Sequence, residues 1–389
     1  MTHLNDAHIF LLAGEPSGDV YGGSLQSVLR QRYPQIRLSG VGGPSMRAAG
    51  LQPIIPMEEL QVMGFSQVFA SLPRIIKQFR MVKDHIIEKE PDVTVLIDYP
   101  DFNLRLAKAL RRNGFTKKIV QLVSPTVWAW RQSRIAIIEE NFDMLLTIFP
   151  FEKQYFSNAV LDVQYIGHPL IDKIEAYRYD DQWHNNYGLS KEQDLVALFP
   201  GSRKAEILAN LPNMLAIVKN LQQKWPQVQF AISIACEKFF PLLSTILQEH
   251  LPGHHLPLIA TQHSYELMRD SKTAMATSGT VTLELALHKT PTLVVYQASA
   301  FNYFVAMYII RPTLKHFCIV NILAGEEVFP EIIGVRFSPE RASQHLQELH
   351  TDAAVRSNII DSCGHIMDML NTTNTMHHAT NAIEDIIDA

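Results

Sequence analysis

Val93-Thr94-Val95-Leu96-Ile97 is an unbroken β-branched and aliphatic run that stops at Asp98. A strand with one wet face alternates apolar and polar residues, whereas a run apolar throughout is buried on both faces, as in a parallel sheet covered by helices. The same pattern recurs on either side. His8–Ala13, Ile36–Val41, Lys118–Val123 and Met144–Ile148 read as strands, and Ser24–Arg32, Met63–Lys89, Asn103–Arg112 and Ser133–Asn141 as the helical segments between them. Strands alternating with helices argue for an α/β fold with parallel sheets.

From Asp172 to about Asp194 the pattern lapses into polar and aromatic residues, the best candidate for an interdomain linker. The alternation then restarts. Leu195–Phe199, Gln229–Ile234, Leu256–Ile259, Thr273–Thr277 and Pro291–Tyr296 read as strands, with helices at Ala205–Trp225, Ser264–Asp270 and Val281–His288. Ser338–Leu370 and Asn381–Ile387 read as closing helices. The chain has 389 residues, enough for two or three domains at roughly 100–200 residues each. Boundaries are expected at 1–172, 173–362 and 363–389.

Composition narrows the function classes. Lys and Arg number 34 against 39 Asp and Glu, a net charge of -5 that gives no footprint for nucleic acid. The cysteines Cys236, Cys318 and Cys363 are odd in number and far apart, so they form neither a disulfide framework nor a close-spaced zinc site. The apolar run Ile9–Ala13 is too short to span a bilayer and lacks a signal-peptide layout, and the stretch around Phe301–Ile310 is also too short. A cytoplasmic chain is expected.

No glycine-spaced dinucleotide fingerprint, Walker lysine motif or His-Glu-x-x-His is present, which favours catalysis without a metal or redox cofactor. Ser202 with Arg203, and Ser278-Gly279-Thr280, lie where a strand delivers the chain to a helix N-terminus. Backbone N–H groups there can face an anion, and arginine adds a bidentate charge suited to phosphate. Either turn alone is more often a simple cap; together in one parallel sheet they favour a diphosphate site. Glu284, one helical turn after Thr280, reads equally as a ribose-diol acceptor or a solvated helix glutamate.

In the first half, Asp98 ends the most apolar strand, and open α/β sheets bind ligands at such carboxyl ends. A half-buried carboxylate there is a candidate general base, since desolvation raises a carboxylate's basicity. Asp101 reads better as an N-cap for the helix near Asn103. Glu15 and Asp19, on the turn Gly14-Glu15-Pro16-Ser17-Gly18-Asp19, are expected to face the same cleft. His168 reads equally as catalytic or structural, and Trp128 and Trp130 equally as a sugar platform or an interface filling. Met63–Arg80 is strongly apolar with Arg74, Lys77, Arg80 and Lys83 interspersed. That is the composition of an interfacial membrane segment, although amphipathic helices more often pack on their own core.

Taken in order, these motifs resemble the lipid-A-disaccharide synthases, inverting glycosyltransferases of bacterial outer-membrane lipid synthesis. The resemblance runs from Ala13–Asp19 through Gly40-Val41-Gly42-Gly43, Met63-Gly64-Phe65, Ile97–Asn103 and Ser124–Trp130. It continues through Pro150-Phe151-Glu152, Gly167-His168-Pro169, Pro200–Arg203, Ser278–Glu284 and Asn321–Gly325. It implies two Rossmann-like domains facing a cleft (GT-B type), with an acceptor-binding, membrane-facing first half, a UDP-sugar-binding second half and C-terminal helices that cross back onto the first. The implied reaction joins UDP-2,3-diacylglucosamine to 2,3-diacylglucosamine 1-phosphate (lipid X), giving the β(1→6) disaccharide 1-phosphate and UDP.

By the same resemblance Asp98 is the base, with Glu15, Ser17 and Asn103 on the acceptor side. Ser202, Arg203, Ser278, Gly279, Thr280, Glu284 and Asn321 fall on the nucleotide side. Acylated substrates raise the membrane reading of Met63–Arg80 to the leading one, with Phe65, Val68, Phe69, Leu72, Ile75 and Ile76 as its contact face on the inner membrane. A homodimer stays open. Two positions depart from the family pattern, Gln297 in place of a basic residue and Gly334 in place of a glutamine. The rival readings are an epimerase of UDP-N-acetylglucosamine with the same architecture and a non-catalytic, membrane-associated nucleotide-binding protein.

Overall fold

The computed structural model describes residues 3–60, 68–129, 131–157, 160–297, 315–334 and 338–388. The chain divides into two compact units, Met1–Glu175 with Leu370–Ala389, and Ala176–Met369.

The first unit is built on β1 (His8–Ala13), α1 (Pro16–Arg32), β2 (Arg37–Gly42), α2 (Pro44–Ala48), β3 (Ile55–Pro56) and α3 (Met57–Leu60). It continues with α4 (Val68–Lys89), β4 (Val93–Ile97), α5 (Pro100–Arg112), β5 (Lys118–Leu122), α6 (Arg134–Asn141), β6 (Met144–Thr147), β7 (Asp162–Tyr165) and α7 (Pro169–Glu175). All pairings are parallel, in the order β3-β2-β1-β4-β5-β6-β7. The strand composition explains this. Ile9, Leu11, Ala13, Val95 and Ile97 enter one apolar cluster, and Phe10, Leu12 and Leu96 enter another on the opposite face of the sheet. Period-two side chains from an all-apolar strand thus fill two cores at once.

The second unit repeats the plan with β8 (Leu195–Phe199), α8 (Lys204–Gln222), β9 (Gln229–Ser233), α9 (Phe240–His250), β10 (Leu258–Ile259), α10 (Ser264–Asp270) and β11 (Thr273–Ala276). Then come α11 (Thr280–Leu287), β12 (Thr292–Gln297), α12 (Ile319–Ala324), β13 (Glu331–Gly334), α13 (Pro339–Thr351) and α14 (Ala353–Leu370). Its sheet order is β10-β9-β8-β11-β12-β13, again parallel. Both sheets have the doubly wound order in which the first strand lies between the second and the fourth, so the ligand crevice of each falls at the carboxyl ends of β1/β4 and β8/β11.

The last helix, α15 (Thr375–Asp388), belongs to the first unit, where Met376, Ala379, Ala382, Ile383 and Ile386 join the core beneath α1. Residues 363–369 stay in the second unit, because α14 runs unbroken to Leu370. The helical stretch expected over Ser338–Leu370 is two helices, parted at Asp352, whose extended backbone ends α13 and whose carboxylate accepts the Ala354 and Val355 amides. The expected linker is also packed structure. Trp183 is buried with its indole Nε1 donating to Asp270 at 2.8 Å, and the Tyr177 hydroxyl donates to Glu266. Aromatic side chains anchor a segment whose polar composition reads as a loop.

Candidate functional site

β1 and β4 are adjacent, with Ala13 opposite Ile97, so the segments that follow them meet. The helix after β1 begins earlier than its glycines suggest: Glu15 is the extended cap residue and Pro16 the first helical position. Proline suits that position because its fixed φ is helical and it lacks an N–H that would go unpaired. Ser17 therefore lies in the first turn of α1, and its hydroxyl donates to Asp98 Oδ2 at 2.8 Å. Gly18 permits the approach, since a Cβ there would sit 3.1 Å from the Ile97 carbonyl oxygen and 3.4 Å from Asp98 Cβ.

Asp98 and Tyr99 both adopt left-handed backbone, at φ 44 and 68. Two consecutive non-glycine residues there cost about 1–3 kcal/mol each, strain that tends to persist at functional sites. Local bonds offset it. The Tyr99 amide donates to Asp98 Oδ1 at 3.0 Å, the Asp98 amide to the Leu122 carbonyl at 2.9 Å, and Asn103 Nδ2 to the Asp98 carbonyl. The result is a half-buried carboxylate with a fixed direction. The Tyr99 ring lies over Gly14, where a Cβ would fall 2.1 Å from Tyr99 Cδ1, and its hydroxyl donates to the Leu60 carbonyl at 3.1 Å.

Three residues around this turn take roles other than those expected of them. Asn103 is fully buried and acts on Asp98 through the backbone, so it presents no surface to a substrate. Asp19 is 2% exposed and turned away, its carboxylate accepting the amides of Gly43, Ser45 and Met46 at 2.7, 2.7 and 3.1 Å. It anchors the N-terminus of α2, which is where Gly42-Gly43-Pro44 ends up. Asp101 does not cap α5, since Tyr99 holds the cap position; the Asp101 carboxylate instead receives Arg131 at 3.0 Å and Arg134 at 2.5 Å. Glu15 remains exposed at the head of α1.

The loop after β5 is pinned beside this turn. Trp128 is buried, its Nε1 donating to Glu152 Oε1 at 3.2 Å, while the Phe149 amide donates to Glu152 Oε2 at 3.1 Å. Burial pushes the Glu152 carboxyl up to about 7. His168 is buried against Phe149, takes the Leu170 amide on Nδ1 at 3.2 Å, and is pushed by burial down to about 4. A neutral imidazole committed to the backbone is structural. Trp130 lies outside the described residues. Glu152 is the residue that sequence reading passed over, although the motif Pro150-Phe151-Glu152 carried it.

In the second unit, β8 and β11 are adjacent, with Phe199 opposite Ala276, so Gly201–Arg203 and Ser278–Thr280 emerge side by side. The amides of Ser202 and Arg203 already donate to Glu206 Oε2, at 3.0 and 3.3 Å, and Arg203 Nη1 reaches Glu206 Oε1 at 3.1 Å. This is a capping arrangement at the head of α8, and Gly201 allows it at φ 121. The Arg203 side chain is 81% exposed, so its guanidinium keeps donors to offer. Gly279 and Thr280 are exposed at the head of α11, and among the described residues no heavy atom beyond its chain neighbours lies within 4 Å of a Cβ placed on Gly279.

Ser278 donates to the Phe317 carbonyl at 3.1 Å, and Glu284 accepts the Tyr265 hydroxyl at 3.1 Å on Oε1. Asn321, expected to line the nucleotide, is fully buried. Its amide holds the Val328 and Phe329 backbone at 2.9, 2.8 and 2.8 Å, which braces the turn before β13. Gln297 and Gly334, the two departures, are register partners at the ends of β12 and β13, and Gln297 ties to Asn213 and Asn210 on α8.

Phe65 lies outside the described residues, and for Val68, Phe69 and Leu72 only the helical backbone of α4 is described. Ile76 is 42% exposed and Ile75 half-buried. Among the described residues no helix is long and apolar enough to cross a membrane.

The family model described as lipid-A-disaccharide synthetase matches residues 9–384. A lipid-A-disaccharide synthase of Trichlorobacter lovleyi is 34% identical over 93% of each chain. One of Chlamydia pneumoniae is 40% identical over 89% of this chain and 57% of its own length. The chain thus spans a little over half the length of the Chlamydia relatives. Among solved structures, UDP-GlcNAc 2-epimerase from Neisseria meningitidis bound to UDP-GlcNAc superposes with a TM-score of 0.64 at 11% identity, covering 97% of this chain and 99% of that one. MurG of Acinetobacter baumannii gives 0.59 at 12% identity, covering 97% and 99%. At such identities these two show the shared fold of paired Rossmann-like units. The motifs from Gly14 to Asn321, in sequence order and on one continuous match, establish that the chain belongs to the lipid-A-disaccharide synthetase family.

Proposed function

We propose that the chain transfers the sugar of UDP-2,3-diacylglucosamine to 2,3-diacylglucosamine 1-phosphate, forming the β(1→6) disaccharide 1-phosphate and UDP. The observation that carries the reading is the Asp98 carboxylate, fixed in direction by Ser17 and the Tyr99 amide at the carboxyl end of β4, in a chain of this family.

Asp98 accepts the proton of the acceptor's 6-hydroxyl as its oxygen bonds to the anomeric carbon of the donor. The bond from that carbon to the diphosphate oxygen breaks, UDP leaves with the electron pair, and the anomeric centre inverts. The negative charge growing on UDP is the main electrostatic demand. Arg203, with the exposed head of α11 at Gly279 and Thr280, meets that demand. For the amides of Ser202 and Arg203 to join them, Glu206 turns aside. Glu284, steadied by Tyr265, accepts the ribose hydroxyls. The apolar-basic segment 63–80 rests on the membrane that stores both acylated sugars, and Val68→Ser with Leu72→Ser moves protein from the membrane to the soluble fraction.

Incubation of purified protein with the two diacylated sugars tests the reading: UDP and the disaccharide are expected in equal amounts. Turnover of unacylated UDP-N-acetylglucosamine, with the diacylated donor ignored, would favour the epimerase reading.

A further inference from the structure

A groove of about 540 Å³ runs between α4 and α5 in the first unit, within the range of roughly 300–1,000 Å³ usual for small-molecule sites. Its wall on α4 is Ile75, Ile76 and Phe79, and on the α5 side Tyr99 and Phe102. Ile75 and Ile76 precede Phe79 by four and three residues, so both neighbour its ring on the surface of α4. The rings form a continuous ladder: Tyr99 stacks on Phe102 at 5.6 Å between centroids, and Phe102 meets Phe79 edge-on at 5.3 Å. Tyr99 directly follows Asp98, so the apolar surface begins at the turn that holds the carboxylate.

The rim is cationic. Arg80, Lys83 and Arg105 line the groove, and among the described residues no carboxylate pairs with Arg80 or Arg105, while Lys83 pairs with Asp84 at 2.9 Å. Asp101, the acidic lining residue, is already paired with Arg131 and Arg134. An aromatic and aliphatic floor edged by unneutralised guanidinium groups complements an amphiphile with a hydrocarbon chain and an anionic phosphate.

We propose that this groove seats the acceptor lipid, an acyl chain lying along Tyr99, Phe102 and Phe79 and the phosphate meeting Arg80 and Arg105. The assignment rests on the glycosyltransferase reading and deepens it, since it gives the acceptor a place that starts one residue from the proposed base. A bilayer phospholipid would answer to the same charge pattern, but the continuity with the Asp98 turn favours the substrate.

The test uses the full chain and two soluble probes, dihexanoyl-glucosamine 1-phosphate below its micelle concentration and unacylated glucosamine 1-phosphate, titrated calorimetrically. Wild type is expected to bind the acylated probe about tenfold or more tightly than the unacylated one, as burial of several methylenes implies. Arg80→Glu with Arg105→Glu weakens both probes by about tenfold or more, and Ile76→Asp weakens only the acylated one. Wild-type far-ultraviolet dichroism and an unshifted urea midpoint report that the variants fold, and UDP affinity, a property of the second unit, stays unchanged. Equal binding by wild type and variants would overturn the assignment, as would an effect seen only as lost sedimentation with phosphatidylglycerol vesicles. Disaccharide formation by wild type is scored separately. Disaccharide with unaltered probe binding in the variants removes the groove and leaves the reaction; groove-dependent binding without disaccharide supports the site and removes the reaction.

Discussion

Replacing Asp19 separates a structural carboxylate from a substrate-facing one. Its two oxygens take three backbone amides, from Gly43, Ser45 and Met46, at 2% residue exposure. Hydrogen bonds to a charged group are worth about 1.5–3 kcal/mol each, and a buried donor left unpaired costs about 1–3 kcal/mol. Water reaches part of the α2 terminus and the losses do not add fully, so Asp19→Ala is expected to cost the first unit roughly 3–6 kcal/mol. Asp19→Asn keeps one acceptor oxygen, and with it Gly43 and Met46, while its amide nitrogen opposes Ser45; roughly half the loss follows. Chemical denaturation with urea, followed by circular dichroism, reads the difference. With a slope of about 3 kcal/mol per M, the Ala variant's first transition falls by about 1–2 M. Midpoints that do not move, together with lost turnover in Asp19→Asn, would refute the anchoring role and return Asp19 to the substrate side.

Two further outcomes follow from buried polar groups. Glu152 titrates near 7 when folded and near 4.5 when exposed, so the folded state resists its charge: this group lowers stability by about 3 kcal/mol above pH 7, a penalty that fades as pH falls from 7 to 4.5. Glu152→Gln is neutral throughout, so its stability relative to wild type should be greater at pH 8 than at pH 5 by roughly 2–3 kcal/mol; parallel pH profiles would remove the explanation. Tyr265→Phe removes the hydroxyl at 3.1 Å from Glu284 and is expected to weaken UDP binding by about three- to tenfold, measured by titration calorimetry, whereas unaltered affinity would mean that Glu284 needs no such support.

The sheets were legible because burial on both faces leaves only apolar residues: Val93–Ile97 and Leu195–Phe199 coincide with β4 and β8. Short or mixed strands were not, as with Asp162–Tyr165, which begins on an exposed aspartate. Pro16-Ser17-Gly18 reads as a turn because proline and glycine break helices in their interiors, yet at a first turn the same residues start one. That shift of eight residues carries Ser17 to Asp98. Asp98 itself was visible from the end of its strand, but its left-handed backbone is held by Asn103 in the following helix and by Leu122 on the adjacent strand, a pairing that sequence does not show. Polar residues with two plausible roles were the hardest to assign. Asn103, Asp19 and Asn321 each look like ligand-binding side chains, and each spends its hydrogen bonds on backbone that the sequence does not show to be nearby.

The central claim is that Asp98 removes the proton from the attacking hydroxyl. Its most direct measurement is the rate of UDP and disaccharide release from the two diacylated sugars by wild type and Asp98→Ala, with UDP affinity and far-ultraviolet dichroism recorded for both. General-base assistance is worth about 10²–10⁴-fold, so the variant's kcat is predicted to fall by that factor while UDP binding and fold are kept. A variant that turns over at the wild-type rate would contradict the account.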